Sequence, residues 1–324
     1  MKILVTGALG YIGSVLVEML KEREFEVITL DGCHEGRAYL HNPDFELDLK
    51  DHDLPFRLEE ISEEVEHVVH LAGFAYVKES FNEPMLYYGN NVLATINLLN
   101  VMNYFPNCDG LTFASSCSVY GNCQEMKDES GGYDPQSPYA MSKVICEQII
   151  RDYTKQRCKD NEKFYSTIFR FFNVAGATAH YGDYHTPETH IIPNLIRSAI
   201  HNEEVNVFNL GEDIREYVHV CDVCDAIISS IYNVCDYSGT HIYNLGGVQS
   251  TTHELAHFAQ EFFGKILNIN YLMKGRDGDV HAARSCCDKV KTEFCWKNER
   301  STIPNMFRTQ TTFYENKMKK QETE

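Results

Sequence analysis

The feature that most limits how this chain can fold lies at its start. Met1-Lys2-Ile3-Leu4-Val5-Thr6 reads as a short apolar strand, and Gly7-Ala8-Leu9-Gly10-Tyr11-Ile12-Gly13 follows it directly. A helical pattern then runs from about Tyr11 to Arg23, with Ile12, Val15, Leu16, Met19 and Leu20 on one face. Glycines spaced three apart let the backbone turn tightly and come close to a ligand, and the start of a helix favours an anion. Strand, glycine turn and helix in this order predict a unit that seats the pyrophosphate of a dinucleotide. The next strand, Glu26 to Leu30, ends in Asp31. A carboxylate at that spacing accepts hydrogen bonds from ribose hydroxyls and repels a 2′-phosphate, so NAD is expected rather than NADP.

The alternation continues. Phe45 to Leu49 reads as a third strand, with Asp48 placed to face an adenine. Glu66 to Gly73 is a fourth strand and its exit, where Ala72 and Gly73 are small enough for a cofactor to lie across the chain. A helix is expected from Pro84 through Asn91 to Tyr104. Gly110 to Ser116 is a fifth strand that brings Ser116 and Ser118 to its C-terminal edge, and Phe164 to Phe172 a sixth that ends at Asn173. Strands alternating with helices over residues 1–177 predict an α/β, Rossmann-type, doubly wound parallel sheet whose ligands sit at that edge. Shorter elements of mixed order over 178–316 predict a smaller mixed α/β substrate lobe, with some later segments free to return to the first domain. Within it, Thr178 to Thr189 is polar and rich in His and Tyr, as an active-site loop would be. Lys317 to Glu324 is a charged stretch with little to bury, and disorder is expected there.

Ser137-Pro138-Tyr139-Ala140-Met141-Ser142-Lys143 opens another helix. Tyr139 and Lys143 stand one turn apart, so phenol and ammonium share a face. A free phenol, with a pKa of about 10, is a poor base at neutral pH. A neighbouring ammonium or a cationic nicotinamide ring would favour phenolate and move it into a useful range. Such pairs also occur on ordinary amphipathic helices, and it is the dinucleotide unit and the two serines elsewhere that give this one meaning.

The formal net charge of −18 argues against nonspecific nucleic-acid binding and against docking on an anionic membrane. With no secretory signal ahead of the first strand and no apolar run of spanning length, a cytoplasmic location is expected. The twelve cysteines are then reduced thiols, and Cys221-Asp222-Val223-Cys224 has no matching second pair, so no metal site is expected.

Motifs along about 290 residues resemble those of the extended short-chain dehydrogenases/reductases, and within them the nucleotide-sugar epimerases of the UDP-glucose 4-epimerase type. They include Thr6 to Gly13, His70-Leu71-Ala72-Gly73, Tyr87 to Val92, Ser115 to Gly121, Ser137 to Lys143 and Arg170 to Ala177. In the later half Arg215 to Val223, Tyr243 to Gly246 and Arg276-Asp277-Gly278-Asp279 match in order. The resemblance implies tightly held NAD, contacted at Gly7, Gly10, Tyr11, Ile12, Gly13, Asp31, Asp48, Leu49, Leu71, Ala72, Gly73, Asn91, Tyr139 and Lys143. It further implies that Tyr139 removes the proton of a sugar 4-hydroxyl as hydride leaves C4, with Lys143 holding the nicotinamide ribose and Ser116 bonding the same hydroxyl, Ser118 close behind. A UDP-sugar would be held by Asn173, His190, Ile191, Phe208, Arg215, Arg276 and Asp279, and two copies would pair through the helices near 84–104 and 138–158.

Three departures from that pattern stand out. A family lysine is replaced by Ala75, with Lys78 three residues on; the loop before Arg215 is short; and Ala283 falls where some relatives carry a tyrosine that closes the sugar pocket. A small residue at 283 leads to the expectation that N-acetylated UDP-hexoses are accepted too. A nucleotide-sugar dehydratase needs an acid/base couple where this chain has Cys117 and Ser118. Epimerases of UDP-glucuronate or UDP-pentoses, and a catalytically silent NAD-binding protein, are the remaining alternatives.

Overall fold

The computed structural model describes residues 1–32, 42–159, 163–185, 189–232, 238–275, 278 and 280–321. Its strands are β1 (Lys2–Thr6), β2 (Glu26–Asp31), β3 (Phe45–Glu46), β4 (His67–His70), β5 (Gly110–Ser116), β6 (Tyr165–Phe171), β7 (Asn173–Ala175), β8 (Val205–Val207), β9 (Ile214–His219), β10 (Gly239–Leu245), β11 (Val248–Thr251) and β12 (Ile269–Tyr271). Seven of them form one sheet in the order β10-β6-β5-β4-β1-β2-β3, every pairing parallel. From β1 the chain steps outward to β2 and β3, then returns to build β4, β5 and β6 on the other side. That reversal opens the crevice in which doubly wound sheets bind ligands.

Helices cover both faces because the strands are apolar on both. On one side Tyr11–Glu22 and Val220–Tyr232 pack into a core with Val5, Val69, Phe169 and Trp296. On the other, Ala94–Met102 and Pro138–Arg157 bury Leu98, Met102, Cys146 and Ile150 against Leu4, Val68, Leu111 and Ile168. His67 and His70 belong to this interior. His67 lies between Tyr165 Oη and Thr112 Oγ1 at 2.7 and 2.9 Å, His70 between Thr6 Oγ1 and Thr95 Oγ1 at 2.7 and 3.0 Å. Burial pushes both imidazoles down to about 3, so they are neutral structural groups.

The later segments follow mixed loyalties. Helix Val220–Tyr232 and strand β10 rejoin the large sheet, whereas β11-β9-β7 and β12-β8 form two small sheets. A third core gathers Leu195, Tyr217, Leu255, Phe307 and Tyr314 around helices Ile191–His201, Thr252–Phe263 and Ile303–Gln321. Thr251 caps the second of these with a reciprocal bond to Glu254.

Two expectations are corrected. The helix anticipated over Pro84–Tyr104 is Pro84–Tyr87, one stretch of π-helix at Tyr88–Leu93, then Ala94–Met102. The wide turn coincides with Asn91, whose amide is drawn off to the backbone of Phe74 and to Ser142. The disorder expected from Lys317 does not begin there, because helix Ile303–Gln321 carries on through it. Lys317 lays its ammonium over the Tyr184 ring, 3.5 Å from the centroid, so its charged side chain does find a surface to cover.

Across the sheet Ser115, Arg170 and Asn244 stand in register on β5, β6 and β10. Arg170 is 1% exposed and meets Glu147 of helix Pro138–Arg157 through Nε at 3.0 Å and an Nη at 2.7 Å. Removing one partner of such a pair strands a buried charge. Glu147→Ala should cost about 3–5 kcal/mol in urea unfolding, and restoring an apolar pair with Glu147→Leu/Arg170→Met should recover most of it. A Glu147→Ala protein as stable as the parent would show that the pair does not hold this helix.

Candidate active site

The glycine turn behaves as a cradle. Gly7 has φ +68°, and a Cβ there would meet the backbone N of Ala72 at 2.6 Å. A Cβ at Gly13 would come within 2.1 Å of the Gly7 carbonyl oxygen, so this helix can pack on the turn only with glycine present. Asp31, at the end of β2, accepts a bond from the Leu9 backbone N–H at 2.9 Å and so braces the turn. These are the features a dinucleotide needs: bare backbone at a helix start and a carboxylate one strand away.

One cavity of about 770 Å³ begins at this cradle and ends in the smaller lobe. Gly7, Gly10, Tyr11, Ile12, Gly13, Asp31, Asp48, Leu49, Leu71, Ala72 and Gly73 line its first half, as the sequence leads one to expect. Tyr139, Asn173, His190, Ile191, Phe208 and Arg215 line the rest. Ala75 and Lys78 are both on the wall, so an ammonium reaches the cavity despite the displaced lysine. Arg276 and Asp279 lie outside the described residues.

The chemical group forms where β5 ends. Ser116 caps a short turn through the backbone N–H of Ser118, and the Ser118 hydroxyl donates to Ser116 Oγ at 2.9 Å. Ser116 stands close enough to the Tyr139 hydroxyl to favour its ionised form. Tyr139 stands at the start of helix Pro138–Arg157, fixed by Ser137, whose side chain accepts from the Ala140 N–H at 3.1 Å. Lys143, one turn on, is buried and donates from Nζ to the Ala114 carbonyl at 2.8 Å.

The expected lowering of the Tyr139 pKa is not a property of the protein alone. Burial pushes the phenol up to about 12, and the nearby Ser116 hydroxyl offsets only part of that. Burial also pulls the Lys143 ammonium below its ordinary value. In a dry pocket desolvation outweighs everything the two side chains can do for one another, and a further positive charge is needed to make phenolate.

Two residues work from behind the wall. Asn91 is turned into the protein, its Oδ1 accepting from Phe74 N at 2.8 Å and its Nδ2 donating to Ser142 Oγ at 2.8 Å. In this way it fixes the Gly73–Phe74 ribbon. Ala283 is buried in a small cluster with Val119, Tyr120, Cys123 and Phe172, and of these Phe172 lines the cavity. Sequence reasoning did not single out Tyr76, Asp183, His185 or Asn194, which also line it. The polar His- and Tyr-rich run around residue 183 was the only signal for two of them.

Comparison with known proteins agrees with this geometry. The model of the NAD dependent epimerase/dehydratase family matches residues 3–246. The UDP-glucose 4-epimerase of Lactobacillus helveticus is 32% identical over 95% of this chain and 96% of its own. Among solved structures, UDP-glucose 4-epimerase from Bifidobacterium longum in complex with NAD+ and UDP superposes with a TM-score of 0.87 at 26% identity, covering 97% of this chain and 98% of that one. UDP-N-acetylglucosamine 4-epimerase from Methanobrevibacter ruminantium M1, in complex with UDP-N-acetylmuramic acid, gives 0.84 at 26% identity over 98% and 99%.

Titration of the phenol checks the electrostatics. The 295 nm absorbance of the cofactor-free protein minus that of Tyr139→Phe should show a phenol still protonated at about pH 10, and saturating NAD should move the transition down. A transition that ignores NAD would contradict the charge argument. Turnover in Tyr139→Phe should fall at least about 100-fold.

Proposed function

Because the chain belongs to the NAD dependent epimerase/dehydratase family, we propose that it interconverts the C4 epimers of a UDP-hexose. The pairs in question are UDP-glucose with UDP-galactose and their N-acetylated counterparts. The observation that carries this reading is one continuous cavity. A dinucleotide cradle lies at one end, Arg215, Asn173 and Phe208 at the other, and Tyr139, backed by Ser116, between them.

NAD, when bound, supplies a hydride acceptor at C4 that can return the hydride to either face of the resulting 4-keto sugar. The residues of this chain do the rest. Tyr139 Oη takes the proton of the 4-hydroxyl and later gives it back, while the Ser116 hydroxyl holds the same oxygen in line. Lys143, tied to the Ala114 carbonyl, holds its ammonium beside Gly73, where it would meet the ribose of a bound cofactor. Arg215 and Asn173 anchor the diphosphate, so the sugar can turn over without leaving. Phe208 gives the uracil an apolar surface. Loss of water by dehydration is disfavoured, because Cys117 is pushed up to about 12 by burial and Ser118 is bonded to Ser116. Neither can act as an acid/base couple at neutral pH.

We place the enzyme in a reducing compartment such as the cytoplasm. The described cysteines are all free thiols, and among the described residues no helix is long and apolar enough to cross a membrane. Pairing of two copies is supported by apolar side chains left exposed on the helices around 81–104 and 138–157, Met85 at 73% and Leu93 at 45% among them. Met85→Glu/Leu93→Glu should convert a dimer into a monomer in light scattering. A particle mass unchanged by both charges would place the contact elsewhere.

The direct test is turnover of UDP-galactose and UDP-GalNAc by purified protein without added NAD. Formation of the 4-epimers is expected, and no turnover even with NAD supplied would overturn the reading. Ala283→Tyr should suppress the acetylated substrate about tenfold or more and leave UDP-galactose largely unaffected. Equal rates on both substrates would remove Ala283 from the account of specificity.

A further inference from the structure

One cluster of ionisable side chains on the cavity wall has no part in the chemistry above. The Asp183 carboxylate is only 1% exposed, yet it touches two imidazoles. Oδ1 lies 2.8 Å from His185 Nδ1, and Oδ2 lies 2.6 Å from His190 Nδ1. The backbone beneath it is clamped by Gln310, which accepts from Asp183 N at 3.2 Å and donates to Asp183 O at 2.6 Å. The two imidazole rings are 5.5 Å apart between centroids, and Tyr76 packs against both at 5.8 and 6.3 Å. All four side chains line the cavity.

A buried carboxylate in this setting calls for a positive partner, which could be a divalent cation or protons on the two rings. The three side chains bring ligand atoms within 4.8 Å of one another, as a metal site would. The individual spacings decide the matter. Two ligand atoms each about 2.0–2.1 Å from a tetrahedral zinc stand roughly 3.3 Å from one another. At 2.6 Å the His190 Nδ1–Oδ2 contact is a hydrogen bond of the short kind that charge assists, whereas the 2.8 Å approach of His185 Nδ1 to Oδ1 is an ion-pair contact without hydrogen-bond geometry. Both spacings are too short for a metal between the atoms; the gap to His190 holds a proton on Nδ1, and Nε2 is the nitrogen that each ring turns away from Asp183.

The charge balance of the substrate end gives this arrangement a use. A nucleotide-sugar diphosphate brings two negative charges. Arg215 shares its own charge with Asp213, 3.7 Å away, and Asp213 also bonds His281 Nδ1 at 3.0 Å. Glu204 adds another anion to the lining, and Lys78 a cation. A carboxylate already bonded at Nδ1 favours the doubly protonated ring, since it stabilises imidazolium over neutral imidazole.

We propose that Asp183, His185 and His190 form a proton-loaded anion site: the imidazoles take up protons as a nucleotide-sugar diphosphate binds and hold its oxygens through Nε2–H, with Asp183 as fixed countercharge. The proposal rests on the reading of the substrate as a UDP-sugar. It makes affinity for that substrate pH-dependent through residues that take no part in the reaction at C4.

Calorimetry of the NAD-loaded protein tests it, with UDP-galactose as probe in buffers of different ionisation heat. The diphosphate of this ligand is a diester and does not itself titrate near neutrality, and a Tyr139→Phe background prevents turnover. Net proton uptake is expected on binding, with affinity weakening several-fold from about pH 6 to about pH 8.5. Both effects should be lost in Asp183→Asn and in His190→Gln. In the otherwise native protein, His185→Gln should raise KM several-fold and leave kcat within about twofold. Uridine, which carries no phosphate, should bind without proton uptake. Binding of UDP-galactose with no proton exchange would overturn the proposal and leave the functional reading standing. So would binding that chelator abolishes and zinc restores. No binding of UDP-galactose at all would overturn both.

Discussion

The catalytic geometry depends on the buried contact between Glu147 and Arg170. Glu147 follows Lys143 by one helical turn and Tyr139 by two, so whatever fixes Glu147 fixes the rotation of the helix that carries the chemistry. Ser115 donates to Glu147 Oε1 at 2.6 Å and Tyr133 to Oε2 at 2.7 Å, while Arg170 donates to both oxygens. Ser115 is the residue before Ser116. The helix bearing Tyr139 and the strand bearing Ser116 are thus tied to the same carboxylate. Taking two charges out of water costs about as much as their attraction returns, so the pair adds little net stability over an apolar contact. Its value lies in direction. A guanidinium fork matches a carboxylate in one orientation, whereas leucines in that place would tolerate a turned helix.

The same layer reaches the substrate side. Arg170 also donates to Tyr120 Oη at 2.6 Å, and Tyr120 donates to Asn244 Oδ1 at 2.8 Å. Asn244 Nδ2 donates to the backbone oxygens of Lys127 and Cys286. Through these bonds the segment that follows Ser118 and the segment that follows Ala283 are held to one sheet. The return of β10 to the sheet edge makes this possible, since Asn244 is in register with Arg170. The smaller lobe and the large sheet are therefore not two bodies meeting at a cleft. They share a row of buried polar side chains.

How much of this could be read in the sequence follows from the range of the interactions involved. The glycine turn, Asp31, the order of β1 to β6 and the Tyr139–Lys143 pair each depend on residues within about one element of one another, and local periodicity reveals them. The His185–Asp183–His190 bridge was only half visible. The polarity of the segment stood out, but the clamp that sets Asp183 in place comes from Gln310, 127 residues away. The bracing of Phe74 by Asn91 was not visible, because it depends on where a residue 17 positions away comes to lie. The helix at Lys317 was misread as disorder because its charge was visible and the aromatic ring beneath it was not.

The behaviour of Tyr139 is the case where sequence logic was sound and incomplete. An ammonium one turn away does favour phenolate, yet Lys143 is itself buried and its charge is committed to the Ala114 carbonyl. The two groups are desolvated together, and desolvation raises an acid of the phenol type while it lowers an ammonium. The polypeptide alone therefore favours the protonated form of the phenol proposed as its base. What remains to be added is a fixed positive charge near the phenol, and the cradle at Gly7 to Gly13 leads from the adenine end of the cavity toward that point. With Tyr139 as the proposed base, coupling of its ionisation to occupancy of the cofactor site would keep a sugar hydroxyl from being deprotonated when nothing is present to receive the hydride. It also explains why a pocket built to remove a proton at neutral pH surrounds its base with apolar surface rather than with further lysines.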